Sequence, residues 1–206
     1  MRIRVVLFLV FLFLIPIISH PETEEEGRSR GVKSVDPAPA PKLTPSIFIM
    51  DKGQKPIPQL ISFMQEFNST LDTVYLVRML GIYLAECKLE GVNHDVAVVQ
   101  MCLETGFLRF NGSVSRFQNN FCGLGAINAY TAGDWFESIE DGIRAHIQHL
   151  KGYASIEPLN APPVDKRFYH IRRGTAITVY DLTGRWATDP KYGEKMDWLL
   201  RKLYEK

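Results

Sequence analysis

Glu104 has the most unusual surroundings of the residues able to do acid–base chemistry. It closes the apolar run that begins at Val96, and Thr105-Gly106-Phe107 and then Phe110 follow it. A carboxyl desolvated by such neighbours keeps its proton toward neutrality and can give it up. Cleavage of a glycosidic bond needs such a donor on the leaving oxygen. On residue types alone, a capped or ion-paired surface glutamate remains the commoner reading. His146 and His149 lie three apart. No Cys, Asp or Glu completes a metal-ligand spacing around them, so they read as packing or surface histidines and no metal is expected. Cys122 suits a thiol peptidase only as a thiolate at a helix N-terminus, which Phe121-Cys122-Gly123-Leu124-Gly125 does not supply. Three cysteines permit at most one internal disulfide.

Helices must position these groups. Pro58–Phe67 carries Leu60, Ile61, Met64 and Phe67 on one stripe. Thr70–Glu90 carries Val74, Val77, Leu80, Leu84 and Cys87, and Gly91 stops it. Asn93 caps a third helix through Val96, Val99, Gln100 and Leu103 to Gly106. Ser138 and Asp141 form a capping-box pattern opening a helix with Ile139, Ile143, Ile147 and Leu150 inward. Asp189-Pro190 opens the last helix, with Tyr192, Met196, Leu199, Leu200 and Leu203 inward. Only Thr175–Leu182 alternates as a strand does. The domain reads as mainly α.

Five ordered blocks carry a resemblance. They are Gly91-Val-Asn-His94, Gln100-Met-Cys-Leu-Glu-Thr-Gly-Phe107, Gln118-Asn-Asn-Phe-Cys-Gly-Leu-Gly125, the run Gly142–Tyr153, and Trp186-Ala-Thr-Asp-Pro-Lys-Tyr192. Over roughly residues 58–206 the chain resembles the bacterial glucosaminidases, the mannosyl-glycoprotein endo-β-N-acetylglucosaminidase-like group related to glycoside hydrolase family 73. The resemblance implies a lysozyme-like α+β fold, mainly α: a helical two-lobed domain with a central substrate cleft. It implies cleavage after N-acetylglucosamine without a cofactor. The family's acid lies in a Glu-Ser/Thr-Gly motif, which falls on Glu104. Asn120, Phe121 and Gly123 match a loop that resembles a cleft wall. Trp186 matches an aromatic position, commonly Tyr, near the acid; tryptophan keeps a stacking face and loses the phenolic hydroxyl. Phe107 and Trp135 join the candidate sugar contacts as rings near the motifs, among Phe110, Phe121, Tyr130 and Trp186, although aromatics equally build cores.

One departure stands out. Many relatives have a longer segment before the next helix, often with a second acid. Here Ala126–Phe136 is short and holds only Asp134. Asp134, Glu137 and Glu140 are candidate second acids, although carboxylates also favour helix starts. Separations of about 5–5.5 Å or about 6.5–9.5 Å between two carboxyls would mean retention or inversion. Assistance by the sugar's 2-acetamido group needs no second acid.

Composition agrees with one globular domain. The 206 residues are 46% apolar and 23% charged, which excludes collagen-like, coiled-coil and wholly disordered chains. The net charge of +1 provides no field for nucleic acid or anionic lipid. Arg2 and Arg4 precede the apolar run Val5–Ile18, so residues 1–19 read as a secretory signal, or as an uncleaved anchor because Ile17-Ile18-Ser19 is a poor cleavage site. Residues 20–45 are a charged and proline-rich linker, and 46–206 the catalytic domain. The expected protein is an exported (periplasmic, cell-envelope or secreted), monomeric endo-β-N-acetylglucosaminidase of peptidoglycan or a related glycan. The alternatives are lytic transglycosylase-like cleavage and a non-catalytic peptidoglycan-binding module.

Overall fold

The structure, a computed structural model, describes residues 43–112, 114–126 and 133–206. The expected leader, nearly all of the linker and Tyr130 lie outside the described residues. Five helices follow in order: α1 (Ile57–Phe67), α2 (Thr73–Glu90), α3 (His94–Thr105), α4 (Ile139–Ala154) and α5 (Tyr192–Tyr204). Among the described residues β-structure is limited to two isolated bridges, Phe48 with Thr178 and Thr183 with Ala187. The mainly helical expectation holds. No described helix is long and apolar enough to cross a membrane.

α3 is the central element. Every residue from Asp95 to Cys102 is buried, and α2, α4 and α5 pack around it. A helix apolar on nearly all faces is stable only where neighbours cover all of them. The Asn93 side chain accepts from the N–H of Asp95 and Val96, and Gly106 ends the helix at φ 58°. Both stops were legible from residue type. Buried Asp95 accepts the N–H groups of Gln54 (2.7 Å) and Lys55 (3.2 Å) and the Tyr204 hydroxyl (2.7 Å), tying both ends of the domain to α3. Glu90 accepts Lys151 Nζ at 2.8 Å and the N–H of Asn160 at 2.9 Å, fastening the chain after α4 to α2.

The structure moves three sequence expectations. α2 begins at Thr73 because the Asp72 carboxylate takes the Tyr75 N–H. Its inward stripe is Leu76, Leu80, Tyr83 and Cys87, leaving Val74 78% and Val77 48% exposed. The polar Glu86 and Glu90 on the buried side, answered by Arg144 and Lys151, disguise that stripe. α5 begins at Tyr192: Asp189 instead accepts the Lys191 N–H and pairs with Lys195. Residues 179–182, the end of the expected strand, form a 3-10 turn because Asp181 folds back onto the N–H and hydroxyl of Thr178.

Candidate active site

Glu104 is the penultimate residue of α3, so the central helix sets its position. Thr105 then closes the helix. Its hydroxyl donates to the Met101 carbonyl (2.7 Å) and accepts the Leu108 N–H (2.9 Å). The chain next makes a tight left-handed run, with Phe107, Leu108 and Phe110 all at positive φ. Such non-glycine conformations cost roughly 1–2 kcal/mol each. Local bonds hold them: the Asn68 amide donates to the Phe107 carbonyl at 2.9 Å, and the Arg109 guanidinium donates to the carbonyls of Gly106 and Phe67. Arg109 therefore serves the backbone of this run.

Two donors converge on one carboxyl oxygen. Glu104 Oε1 accepts the Tyr192 hydroxyl at 2.5 Å and the Trp186 indole N–H at 3.1 Å. Both donors arrive on one unit. Gly193, in the first turn of α5, packs so closely that a Cβ there would lie 2.5 Å from Tyr180 Cα. Burial pushes the Glu104 pKa up, and the two donors only partly oppose it. The carbonyl end of α3 acts in the same direction as burial. Burial and the neighbouring carboxyl likewise drive the Tyr192 pKa well above a phenol's usual value, so Tyr192 is a donor at every physiological pH.

Oε2 faces another way. It lies 3.5 Å from where a Cβ on Gly123 would be, and Gly123 sits at φ 72°. Glu104, Phe110, Asn120 and Gly123 line a cavity of about 180 Å³. Phe110 is shared with a larger hollow of about 560 Å³ toward α2, which also has Tyr75, Arg116 and Phe117 on its walls.

The sequence candidates separate here. Gly123 and Asn120 stand with Glu104, and Trp186 touches it. The Asn120 amide is committed to its own loop: it donates to the carbonyls of Leu124 and Asp134 and accepts the N–H of Leu124. Phe107 stacks on Phe67 at 4.3 Å and Phe121 is buried edge-on to Phe110, so both are packing residues. Trp135 is 67% exposed in a different hollow beside Lys166, Arg167 and His170. Of the candidate second acids, Asp134 pairs with Arg167 and Glu140 with Arg78. All three cysteines are free and buried, and burial drives their thiol pKa values up, opposite to what a thiolate nucleophile needs.

Residue types alone gave Tyr192 and Gln100 no place beside Glu104 and read His146 as a packing or surface histidine. The Gln100 amide donates to the Tyr192 hydroxyl oxygen at 2.9 Å, and His146 Nε2 lies 2.9 Å from Gln100 Oε1. The usable signal was the four-residue spacing of Gln100 and Glu104, which puts both on one face of α3. A glutamine in a buried helix also implies polar partners.

The central helix thus delivers one sequestered, donor-flanked carboxyl to a small polar cavity, where it can hold a proton and give it up. Residues 81–205 match the glucosaminidase family model, described as mannosyl-glycoprotein endo-β-N-acetylglucosaminidase, and the chain belongs to that family. It is also similar to an uncharacterized protein of Borreliella burgdorferi, 46% identical over 158 residues, covering 77% of this chain and 78% of that one. No solved structure matches.

Proposed function

We propose that this protein is an exported endo-β-N-acetylglucosaminidase that hydrolyses the glycan backbone of bacterial peptidoglycan, with Glu104 as general acid. The observation that carries the reading is the asymmetry of the Glu104 carboxyl. The two donors fill both lone pairs of Oε1, so the acid proton resides on Oε2, toward the cavity. Proton transfer from Oε2 to the glycosidic oxygen lets the C1–O bond break and the sugar leave. Among the described residues that line that cavity Glu104 is the only carboxyl, and residues 127–132 contain no Asp or Glu. This favours attack on C1 by the sugar's own 2-acetamido oxygen. Water then opens the cyclic intermediate and gives its proton to the Glu104 carboxylate, with net retention. The larger hollow across Phe110 offers room for a neighbouring sugar. Arg2, Arg4 and the run Val5–Ile18 support export.

The test is digestion of purified peptidoglycan with the compact unit, residues 41–206, beside its Glu104→Gln variant, with fragments read by mass spectrometry. Fragments with reducing N-acetylglucosamine ends, absent with the variant, are expected. Anhydro-muramyl ends would make the reaction a transglycosylation through the same acid. Co-sedimentation with the glycan and no fragments would reduce the protein to a binding module.

A further inference from the structure

The hydrogen bonds behind Glu104 run further than its two direct donors, and each has an assignable direction. Tyr83 Oη lies 3.0 Å from His146 Nδ1, His146 Nε2 lies 2.9 Å from Gln100 Oε1, Gln100 Nε2 lies 2.9 Å from Tyr192 Oη, and Tyr192 Oη lies 2.5 Å from Glu104 Oε1. Tyr83, Gln100 and His146 are fully buried and Tyr192 nearly so. A carboxamide oxygen can only accept, so the proton of the neutral imidazole is on Nε2. Nδ1 is then bare and takes the Tyr83 hydroxyl proton. Burial, with His149 next to it, pushes the His146 pKa down to about 3, which keeps the ring neutral. All four donors therefore point the same way, from α2 through α4 and α3 to α5 and back to the end of α3.

We propose that Tyr83, His146 and Gln100 are positioning residues for Glu104: their head-to-tail bonds prevent the Gln100 amide from turning over, oblige Tyr192 to direct its single proton to Glu104 Oε1, and so reserve Oε2 for the acid proton. The inference rests on the reading of Glu104 as the acid. Its physical content is a competition. If the Gln100 amide turned over, its oxygen would face Tyr192 and capture the phenolic proton, and Glu104 would lose its shortest bond. A turned amide would also require the His146 hydrogen to move to Nδ1, where the Tyr83 oxygen would have to accept it and its own hydroxyl proton would lose its partner among the described residues. Head-to-tail bonds in a low-dielectric interior also polarise one another, which strengthens the last donor. The other groups close to the chain are Cys87, Cys102 and Cys122, thiols held neutral by burial, Tyr75, which faces Tyr83, His149 beside His146, and Trp186, whose ring lies 5.8 Å from that of His146.

The experiment follows the Glu104 carboxyl itself. Full-length protein labelled with 13C at glutamate Cδ is titrated by NMR, and the Glu104 signal is assigned by its loss in Glu104→Gln. Tyr83→Phe removes one oxygen, and His146→Leu removes the N–H while filling the space. Both are expected to move the Glu104 midpoint to higher pH, and Tyr192→Phe is expected to do the same. In the Tyr192→Phe background neither is expected to move it further, because the path is already cut. On soluble glycan fragments each single variant is expected to lose roughly tenfold in kcat with KM unchanged, the scale of one weakened hydrogen bond. A Glu104 titration unmoved in both variants, or moved equally with and without Tyr192, overturns the inference. If Tyr83→Phe and His146→Leu shift the titration but the wild type cuts no glycan, the relay stands and the hydrolase reading falls.

Discussion

The indole N–H of Trp186 reaches Glu104 Oε1 at 3.1 Å across 82 residues of sequence. In this chain the tryptophan thus contributes a hydrogen bond to the carboxyl as well as an aromatic face. Trp186 is wedged against His146, His149 and Tyr153, ring centroids 5.7–6.4 Å away, so its N–H has little freedom to turn aside. Trp186→Phe keeps the ring and loses the donor. With one donor fewer, the carboxylate is less stabilised and the Glu104 pKa rises. The alkaline limb of the kcat/KM profile is expected to move to higher pH, with kcat falling about tenfold, the scale of a hydrogen bond to a charged group. Trp186→Tyr, which restores a polar hydrogen, is expected to recover part of both. Equal pH profiles for wild type and Trp186→Phe would show that the N–H does not act on the acid.

Glu104 also costs the fold stability, with a definite sign. Its folded pKa lies above that of an unfolded glutamate. Native protein therefore binds more protons than unfolded protein between those two values, and stability falls as pH rises through that window. A glutamine there titrates in neither state. Glu104→Gln should melt close to wild type at pH 4 and above it at pH 7, while cleavage falls by about 10²–10⁴, the usual contribution of a general acid. Thermal unfolding at the two pH values checks the first part and fragment release the second. A melting difference independent of pH would place the carboxyl in water-like surroundings.

Much of this site was legible in the sequence, and the rest was hidden for physical reasons. Asn93, Gly91, Gly106 and Ser138 announce helix ends because each satisfies or releases a particular backbone group, so those boundaries are read from single residues. Glu104 was a candidate because a carboxyl closing an apolar helix is desolvated wherever the helix packs, but it was the resemblance of Glu104-Thr105-Gly106 to the family motif that selected it. The phase of α2 was obscured because its buried side includes two glutamates whose cationic partners come from α4, some 60 residues on. Tyr192 was recognised as inward, but its role depends on which buried polar group it meets, and Glu104 Oε1 lies 88 residues earlier. Trp135 and Phe107 show the converse: closeness in sequence to a motif places a ring near Glu104 only if the backbone aims it there. The left-handed run after Gly106 sends Phe107 back onto α1.

Thr105 closes the helix that carries Glu104 through one hydroxyl, which donates to Met101 O and accepts from Leu108 N. Thr105→Val is nearly isosteric and removes both bonds. It leaves a buried N–H unpaired next to three strained residues, a loss of about 1–3 kcal/mol in unfolding free energy. Thr105→Ser keeps the hydroxyl and should stay within about 1 kcal/mol of wild type, the scale of a single lost methyl group. Denaturant unfolding of the three proteins decides the point, and crystal structures would show whether Leu108 and Phe110 leave the left-handed region only in the valine variant. Equal losses for serine and valine would mean that the methyl group, and not the hydroxyl, matters.

Glycines at three helix positions should respond differently to one added methyl group. A Cβ on Gly142 would lie 1.7 Å from the Asn119 carbonyl oxygen, and both partners are backbone. The first turn of α4 thus bears directly on the loop that carries Asn120 and Gly123 to the Glu104 cavity. Gly142→Ala must push that loop away, at a cost of about 3 kcal/mol, the upper part of the range for overpacking. Cleavage should fall further than the unfolded fraction explains, because the displaced loop walls the cavity. A Cβ on Gly152 meets only side-chain ends, Phe168 Cε2 at 2.9 Å and Ile171 Cδ1 at 3.0 Å, which can shift. Gly152→Ala should cost less and leave cleavage of the folded protein unchanged. Gly81, within α2, has nothing within 4 Å of its added Cβ. There the alanine restricts the unfolded chain and favours the helix, so Gly81→Ala should stabilise by about 0.4–1 kcal/mol. Midpoints of denaturant unfolding in the order Gly81→Ala, wild type, Gly152→Ala, Gly142→Ala, from most to least stable, are the expected outcome. A Gly142→Ala protein as stable and active as wild type would mean that α4 and the 118–124 loop are not in backbone contact.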